Sequence, residues 1–438
     1  MSRGEKLRLV LMLSVPAMLA QLSTIVMQYI DAMMVGQLGA SASASIGLVS
    51  TTTWLFGGTT MSLCSGFAVL VAHHVGAKQN NRARDVLRQA LMVSLVISMA
   101  VSAFCVGIHD VLPVWLGGAK DVLDQASSYF LVWSLTLPVM QLMHLSNGML
   151  RSSGNVAVPF AMGIAMCVLD VIFNCIFIPL WGVTGAALAT SLAGLLTAST
   201  SLYFLLVRSH ELALWRHAGR LHFDAEILRR SFRISIPMGV EHTVFCGAQI
   251  VSTLIVAPLG TVAIAANAFG IIVESLCYMP GYGIGDAATT LIGQSFGARR
   301  EDLLRSFSII TVSLGVGVMT VLGVVMYVFA PELMQIMTPD GAVRAASVEA
   351  LRIEAFAEPM YAASIVVYGV FVGLGDTLVP AIMNLASIWL VRIPLAWYLS
   401  CTMGLNGVWL AMCIELTVRG LIFLCRLKLK NVRIIAAK

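Results

Sequence analysis

Residues 9–36 read LVLMLSVPAMLAQLSTIVMQYIDAMMVG, an apolar run longer than the roughly 20 residues that a helix needs to cross a bilayer. The beginning of this run recurs later in the chain, because Ser14-Val15-Pro16 returns as Ser235-Ile236-Pro237, 221 residues further on. Val75-Gly76-Ala77-Lys78 returns as Phe296-Gly297-Ala298-Arg299 at the same offset. Chance matches would scatter over many offsets, so a shared offset indicates an internal duplication. The chain is therefore expected to consist of two related halves.

The composition is that of a membrane protein. Hydrophobic residues make up 58% of the chain and charged residues 11%, whereas soluble domains carry roughly 25% charged residues. The apolar stretches predict an all-α integral membrane protein with twelve transmembrane helices, in two six-helix bundles related by a pseudo-twofold axis. The twelve predicted spans are residues 9–36, 45–72, 88–114, 126–150, 156–180, 184–207, 231–257, 261–292, 305–330, 346–372, 378–400 and 404–425.

The basic residues predict the orientation of the chain. We expect an N-lobe at 1–207, a basic cytoplasmic linker at 208–230, and a C-lobe with a basic tail at 231–438. Lys and Arg favour the cytoplasmic side of short loops, and with twelve spans most of them lie on one face. The sequence thus predicts a multi-pass protein of the plasma or inner membrane with both termini cytoplasmic. The net charge of +5 follows from this bias and does not call for a nucleic-acid partner.

The chain lacks the patterns that an intramembrane enzyme or an ATP-driven pump would need. It has no HExxH metal motif and no GxxxxGK[ST] phosphate-binding loop, and none of its nine cysteines forms a CxxC pair. We therefore expect no enzymatic activity, no metal site and no cofactor. Uphill transport by this chain would have to use an ion gradient, and paired bundles favour alternating access over a channel.

Two carboxylates lie within predicted spans of the first half, Asp31 in span one and Asp170 in span five. Intramembrane ionisable residues are costly and often functional. Burial and mutual repulsion oppose ionisation of neighbouring carboxyl groups, whereas an entering cation favours the ionised forms. Such competition would couple proton entry to the exit of a cationic compound. The alternative is that each Asp only hydrogen-bonds a helix terminus or a hydroxyl group.

Several motifs resemble those of multidrug and toxic compound extrusion (MATE) transporters. They include Asp31-Ala32-Met33-Met34-Val35-Gly36, Gly293-Gln294-Ser295-Phe296-Gly297-Ala298 and Gly373-Leu374-Gly375-Asp376-Thr377. The resemblance extends over almost the whole chain. It implies a twelve-helix antiporter that expels amphipathic, commonly cationic compounds in exchange for protons or sodium ions.

The resemblance also implies a cation-coupling site. Asp31 and Asp170 match the carboxylates of the first and fifth helices in this family, and Thr190 matches a hydroxyl of the sixth. Many relatives have Asn one turn before the fifth-helix Asp, where this chain has Met166; Asn174 lies one turn after it. Losing an oxygen ligand weakens a sodium site more than a proton site. We therefore expect Asp31, Asp170, Asn174 and Thr190 to form a cation-coupling site that favours protons, with sodium ions as the alternative.

Further residues are candidates for the substrate cavity. Glu241 matches an acidic residue of another branch of the family, whose span-ten Asp is replaced here by Tyr361, so a complete cation site in the second half is not expected. Glu274 matches an often acidic position, and Pro16 is either a hinge of span one or a static bend. The candidate cavity residues are Gln28, Tyr29, Met33, Met34, Glu241, Glu274 and Tyr361.

The remaining charged residues of the second half are expected to form structural pairs. Arg392 should pair with a nearby acid, and Glu415 and Arg419 have the spacing of a local ion pair. The expected function is a monomeric, cation-coupled exporter of small molecules. A flippase for lipid-linked precursors is the alternative, although it would need a more basic cavity than this sequence predicts.

Overall fold

The computed structural model describes residues 2–215 and 223–436, and every regular element within them is helical. Helices follow from the composition, because a chain in hydrocarbon must satisfy its own backbone N–H and C=O groups. The α-helices are α1 (Arg3–Gly36), α2 (Ala40–Gly76), α3 (Asn80–Ile108), α4 (Leu112–Trp115), α5 (Lys120–Ser152), α6 (Ala157–Tyr203), α7 (Ala225–Val256), α8 (Thr261–Gly297), α9 (Glu301–Met337), α10 (Gly341–Glu354), α11 (Glu358–Gly373), α12 (Leu378–Ser387), α13 (Ile393–Met403) and α14 (Leu405–Ala436).

The described helices are consistent with twelve spans. Ten continuous segments of residues 2–215 and 223–436 are long and apolar enough to cross a membrane, and the bent pair α10 and α11 makes an eleventh. The segment Ala157–Arg208 has 52 residues, about 78 Å of helix, more than twice the hydrocarbon thickness. It is kinked at Gly182 (φ 57°, ψ −131°), which divides it into two spans.

The repeat seen in the sequence is also visible in the backbone. Gly39, before α2, and Gly260, before α8, both have positive φ angles, of 113° and 100°. Lys78 and Arg299 are the two non-glycine residues with positive φ in the described part of the chain, at 58° and 54°. In each pair the second residue follows the first by 221 positions. The duplicated halves thus share their turn conformations as well as their motifs.

The chain divides into two compact units, one of Ser23–Thr243 and the other of Met1–Leu22 with Val244–Lys438. The division falls within α1 and within α7, at positions that are again 221 residues apart. The units therefore follow packing, whereas the lobes predicted at 1–207 and 231–438 follow the sequence repeat, and those boundaries remain a prediction. Of the predicted linker at 208–230, residues 216–222 lie outside the described residues.

Each unit has its own tightly packed helices. In the Ser23–Thr243 unit, α5 packs against α2, α3 and α6; in the other unit, α8 packs against α9 and α11, and α11 against α14. Small residues allow the closest approach. A Cβ atom placed on Gly369 of α11 would lie 2.5 Å from the backbone oxygen of Gly285 in α8. Glycine at 369 thus lets two helix backbones meet, as in many membrane helix pairs.

We expect Gly369→Ala to lower the thermal unfolding midpoint of the detergent-purified protein, because overpacking against a backbone oxygen typically costs about 1–3 kcal/mol. The matched control is Gly317→Ala in α9, where a Cβ atom meets nothing within 4 Å. There the gain in helix propensity, up to about 1 kcal/mol, should leave the midpoint unchanged or raised. Equal midpoints for the two variants would contradict the close packing of α8 and α11.

Candidate functional site

Asp31, Asp170 and Asn174 form one hydrogen-bonded group, which we call the aspartate site. The Asn174 Nδ2 amide donates to Asp31 Oδ1 at 2.7 Å and to Asp170 Oδ2 at 3.0 Å. Asn174 can reach both because it lies four residues after Asp170 on α6, and residues at this spacing share a helix face. The structure therefore brings three of the four predicted coupling residues together.

The aspartate site is deeply buried. Asp170 and Asn174 are 0% exposed, and Asp31 is half-buried. Asp170 Oδ1 and Asn174 Oδ1 have no hydrogen-bond partner within the described parts of the chain. The carboxyl groups of Asp31 and Asp170 also lie within hydrogen-bonding range of each other. Two ionised carboxylates in this position would be costly, so the geometry suits the binding of protons or of a small cation.

Apolar side chains and one tyrosine surround the aspartate site. Tyr129 of α5 packs on a cluster that includes Val35, Ile178 and Ala186, and its phenol lies close enough to both aspartates for their charges to interact. Sequence reasoning missed Tyr129; it is the one tyrosine of α5, which is a weak signal. An apolar wall of this kind keeps water away from the carboxyl groups.

Thr190 is not part of the hydrogen-bonded group. Its hydroxyl donates to the backbone oxygen of Ala186 one turn earlier on its own helix, at 3.2 Å. Met166, at the position where relatives often have Asn, is buried, and its sulfur accepts a hydrogen bond from the Thr197 hydroxyl at 3.6 Å. Neither residue adds an oxygen contact to Asp31 or Asp170.

The predicted cavity residues of the Ser23–Thr243 unit differ in how exposed their side chains are. Met33 is 68% exposed and Gln28 is also exposed, while Tyr29 and Met34 are half-buried. Met34 packs against the apolar cluster beside the aspartate site. Glu241 is half-buried on α7. Their role in substrate binding remains a prediction.

Pro16 lies inside α1, which continues from Arg3 to Gly36. The helix is therefore not interrupted at the proline. A hinge role for Pro16 remains a prediction.

In the other unit, the candidates Glu274 and Tyr361 belong to a larger buried polar group. Glu274 of α8 is 5% exposed, and the ring of Tyr361 in α11 lies 5.6 Å from that of Tyr278. The Arg419 guanidinium is placed over the Tyr361 ring, 5.5 Å from its centroid. These contacts join α8, α11 and α14.

An ion-pair group lies beside these residues and confirms the predicted structural pairs. Glu415 is fully buried; its Oε2 accepts from Arg392 at 2.6 Å and its Oε1 lies 3.1 Å from Arg419 Nε. The Ser387 hydroxyl also donates to Glu415 Oε1. The two arginines thus share one carboxylate.

Sequence reasoning missed two further acids of the same unit. Glu354, at the end of α10, and Glu358, at the start of α11, are both 0% exposed. The available signal was a pair of glutamates four residues apart within span ten, followed by Pro359. Proline disfavours helical conformation in the residue before it, which marks a break in an otherwise apolar helix.

Comparisons with known proteins agree with the fold. A sequence profile of the MatE family matches residues 16–176 and 237–398. "Probable multidrug resistance protein NorM" of Bradyrhizobium diazoefficiens is 28% identical, over 97% of this chain and 94% of that protein. The protein of the same name from Thermotoga maritima is 24% identical, over 93% and 89% of the two chains.

Solved structures are similar along nearly the whole chain. A crystal structure described as MATE in complex with MaL6 superposes with a TM-score of 0.93 at 20% identity, covering 98% of this chain and 97% of the other. The bent form of the Vibrio cholerae MATE transporter VcmN gives a TM-score of 0.89 at 19% identity, covering 98% of both chains. At these identities the likeness establishes the fold.

We expect Arg392→Met to lower the free energy of unfolding in detergent by about 3 kcal/mol or more, because it removes the closest charged partner of the buried Glu415. Arg305→Met is the control, since Arg305 is an exposed arginine of α9. It should leave denaturant-induced unfolding unchanged. Equal stability of the two variants would show that the ion-pair group does not stabilise this unit.

Proposed function

The chain belongs to the MatE family of multidrug and toxic compound extrusion transporters, and on that premise we propose that it exports amphipathic, cationic compounds in exchange for protons. It is a multi-pass transporter of the inner membrane and not an enzyme. Alternating access would carry the compound outward while protons move inward. We propose that the protein acts as a monomer with both termini in the cytoplasm.

The observation that carries this proposal is the aspartate site. Asp170 is buried and Asp31 is half-buried, their carboxyl groups lie within hydrogen-bonding range of each other, and both accept from the Asn174 amide. With protons bound, the pair is close to neutral and compatible with its apolar wall. A cationic compound nearby favours the ionised pair, so protons and the compound compete for the same negative charge. Each can therefore drive the release of the other.

The ligand set favours protons over sodium. A sodium ion would need several oxygen ligands, whereas Asn174 turns its amide N–H groups toward both carboxylates. The hydroxyl of Thr190 is engaged with Ala186, and Met166 offers sulfur in place of an amide oxygen.

The contacts that hold the substrate would be less specific than the hydrogen bonds of the aspartate site. We propose that Glu241 and Glu274 attract the positive charge of the compound, and that Gln28, Tyr29, Met33, Met34 and Tyr361 contact its apolar and polar parts. Methionine and aromatic side chains can repack around different ligands, which suits a transporter of many compounds. Bending of α1 at Pro16 would change the access to Asp31.

We expect Asp31→Asn and Asp170→Asn each to abolish efflux of a cationic dye driven by a pH gradient in proteoliposomes. Each substitution removes an exchangeable proton from the aspartate site while keeping the size of the side chain. Asp124→Asn, which changes an exposed aspartate of α5, is the control and should transport normally.

The same assay with an imposed sodium gradient tests the choice of ion. Proton-driven efflux that survives both substitutions would refute the aspartate site as the coupling site. Efflux driven by sodium alone would refute proton coupling. Absence of dye efflux in the unmodified protein would refute export of cationic compounds. It would favour the alternative function, transport of a lipid-linked precursor.

We expect Asn174→Ala to slow proton-driven efflux by about tenfold or more, because hydrogen bonds to charged groups contribute about 1.5–3 kcal/mol and tenfold corresponds to about 1.4 kcal/mol. Thr190→Val should slow it no more than Thr200→Val does. Thr200 is a matched control, since its hydroxyl is exposed on the same helix and donates to Leu196 O one turn earlier. A selective loss with Thr190→Val would assign the threonine to the coupling site.

A further inference from the structure

Span ten is broken in the middle, and an acid lies on each side of the break. The axes of α10 and α11 differ by 60°, with Glu354 as the last residue of α10 and Glu358 as the first of α11. Both side chains are 0% exposed. All four of their carboxyl oxygens lack a hydrogen-bond partner within the described residues. An ionised carboxylate in such a position costs several kcal/mol, so these groups need a proton or a cation.

The surroundings of the two glutamates are apolar on one side and charged on the other. The Glu358 side chain packs on Gly323 of α9, where an added Cβ atom would lie 3.1 Å from Glu358 Cβ. The ionisable groups of neighbouring helices that interact electrostatically with the pair are Glu274, Cys277 and Tyr278 of α8, Arg392 before α13, and Cys413 and Glu415 of α14. Arg419 of α14 is linked to this group through its ion pair with Glu415.

Counting charges shows what this buried group requires. Glu274, Glu354, Glu358 and Glu415 supply four carboxyl groups, and Arg392 and Arg419 supply two guanidinium groups. Glu415 is already paired with both arginines. Four negative charges against two positive ones leave an excess of two negative charges when every group is ionised. Two protons neutralise the group.

The broken helix distinguishes the two glutamates. Glu354 lies at the C-terminus of α10, where the helix dipole is negative, and Glu358 lies at the N-terminus of α11, where it is positive. The dipoles therefore favour charge on Glu358 and a proton on Glu354. Discontinuous helices commonly carry ion sites in transporters because their ends supply such fields.

The first half of the chain has no equivalent of this arrangement. At the offset of 221 residues, Glu354 and Glu358 correspond to Trp133 and Leu137, while Pro359 corresponds to Pro138. Helix α5 nevertheless continues through Pro138, from Lys120 to Ser152. Proline alone thus does not break the span, and the break in the second half coincides with the two acids.

We propose that Glu354 and Glu358 form a second proton-binding site of this transporter, loaded and emptied during transport. The site itself stands on its own geometry, whereas its part in the exchange rests on the proposed proton-coupled export. Protons suit it better than sodium, because the positive charge of Arg392 opposes the binding of a second cation near Glu354. No hydroxyl group is hydrogen-bonded to either glutamate in the described part of the chain.

Infrared difference spectroscopy of the full chain in nanodiscs tests the site without requiring transport. The starting protein carries Asp31→Asn and Asp170→Asn, so that the aspartate site cannot contribute. Stepping from acidic to alkaline pH should remove a C=O stretching band of protonated carboxyl groups. Glu354→Gln and Glu358→Gln should each diminish this band. Glu349→Gln, an exposed glutamate of α10, should leave it unchanged.

Two results would overturn the site. A carboxyl band that persists at every pH would make Glu354 and Glu358 permanently neutral structural groups. A band that changes on addition of sodium chloride at constant pH, and not with potassium chloride, would make the site a sodium site. Either result can be seen in the starting protein, which carries Asp31→Asn and Asp170→Asn but no Gln substitution. Misfolding of a Gln variant therefore does not decide the test.

The role in transport is tested by the number of protons moved per dye molecule in proteoliposomes with otherwise native residues. Glu354→Gln should lower this ratio, whereas Glu349→Gln should not. An unchanged ratio together with a titrating infrared band would overturn the role in exchange. A titrating band in a protein whose efflux is not proton-driven would instead refute the proposed function and leave the proton-binding site standing.

Discussion

A backbone in hydrocarbon has no water to bond with, and this constraint governs the whole chain. It explains why the described elements are helical and why the turns rely on a few backbone angles that the two halves share. It also limits where a helix can be interrupted. At the break between α10 and α11 the backbone stays bonded, since Ala357 N donates to Glu354 O at 2.8 Å and Tyr361 N to Ala357 O at 2.8 Å. An interruption of this kind changes the direction of the chain and brings helix ends close to side chains. The backbone groups at the break keep their hydrogen bonds.

Hydrocarbon also has a low dielectric constant, which makes every buried charge unfavourable. The two units compensate their buried charges in different ways. The aspartate site balances its carboxyl groups with a neutral amide, so its charge depends on what it binds. The other unit places two guanidinium groups around Glu415, a fixed arrangement that gives that carboxylate no reason to take up a proton. At Glu354 and Glu358, by contrast, that unit has buried carboxyl groups whose oxygens lack a hydrogen-bond partner within the described residues. Fixed pairs stabilise a fold, whereas unpaired acids can exchange protons.

The sequence predicts the helices and part of the aspartate site for clear physical reasons. Apolar length and composition report spans directly, and Asp170 and Asn174 share a face because of their spacing. Met33 was assigned to the cavity only because it is close to Asp31 in sequence. At about 100° per residue, two positions turn the side chain to the opposite face, and Met33 is 68% exposed. The burial of Glu358 could not be predicted, because it depends on α9 packing against its side chain at Gly323, a contact that no local pattern contains.

A one-residue difference in spacing between the halves lies next to the charge arrangement that is particular to the second unit. Pro159 and Pro380 are 221 positions apart, but the kink glycines Gly182 and Gly404, with φ of 57° and 60°, are 222 apart. The second half therefore holds one extra residue between these points. The π-helical segment Ile388–Arg392 lies in this interval, and a single π turn is how a helix absorbs an inserted residue. That segment ends at Arg392, the closest charged partner of Glu415. The extra residue thus coincides with a π turn that ends at the arginine paired with Glu415, and the two halves of the duplicated backbone carry different charge arrangements.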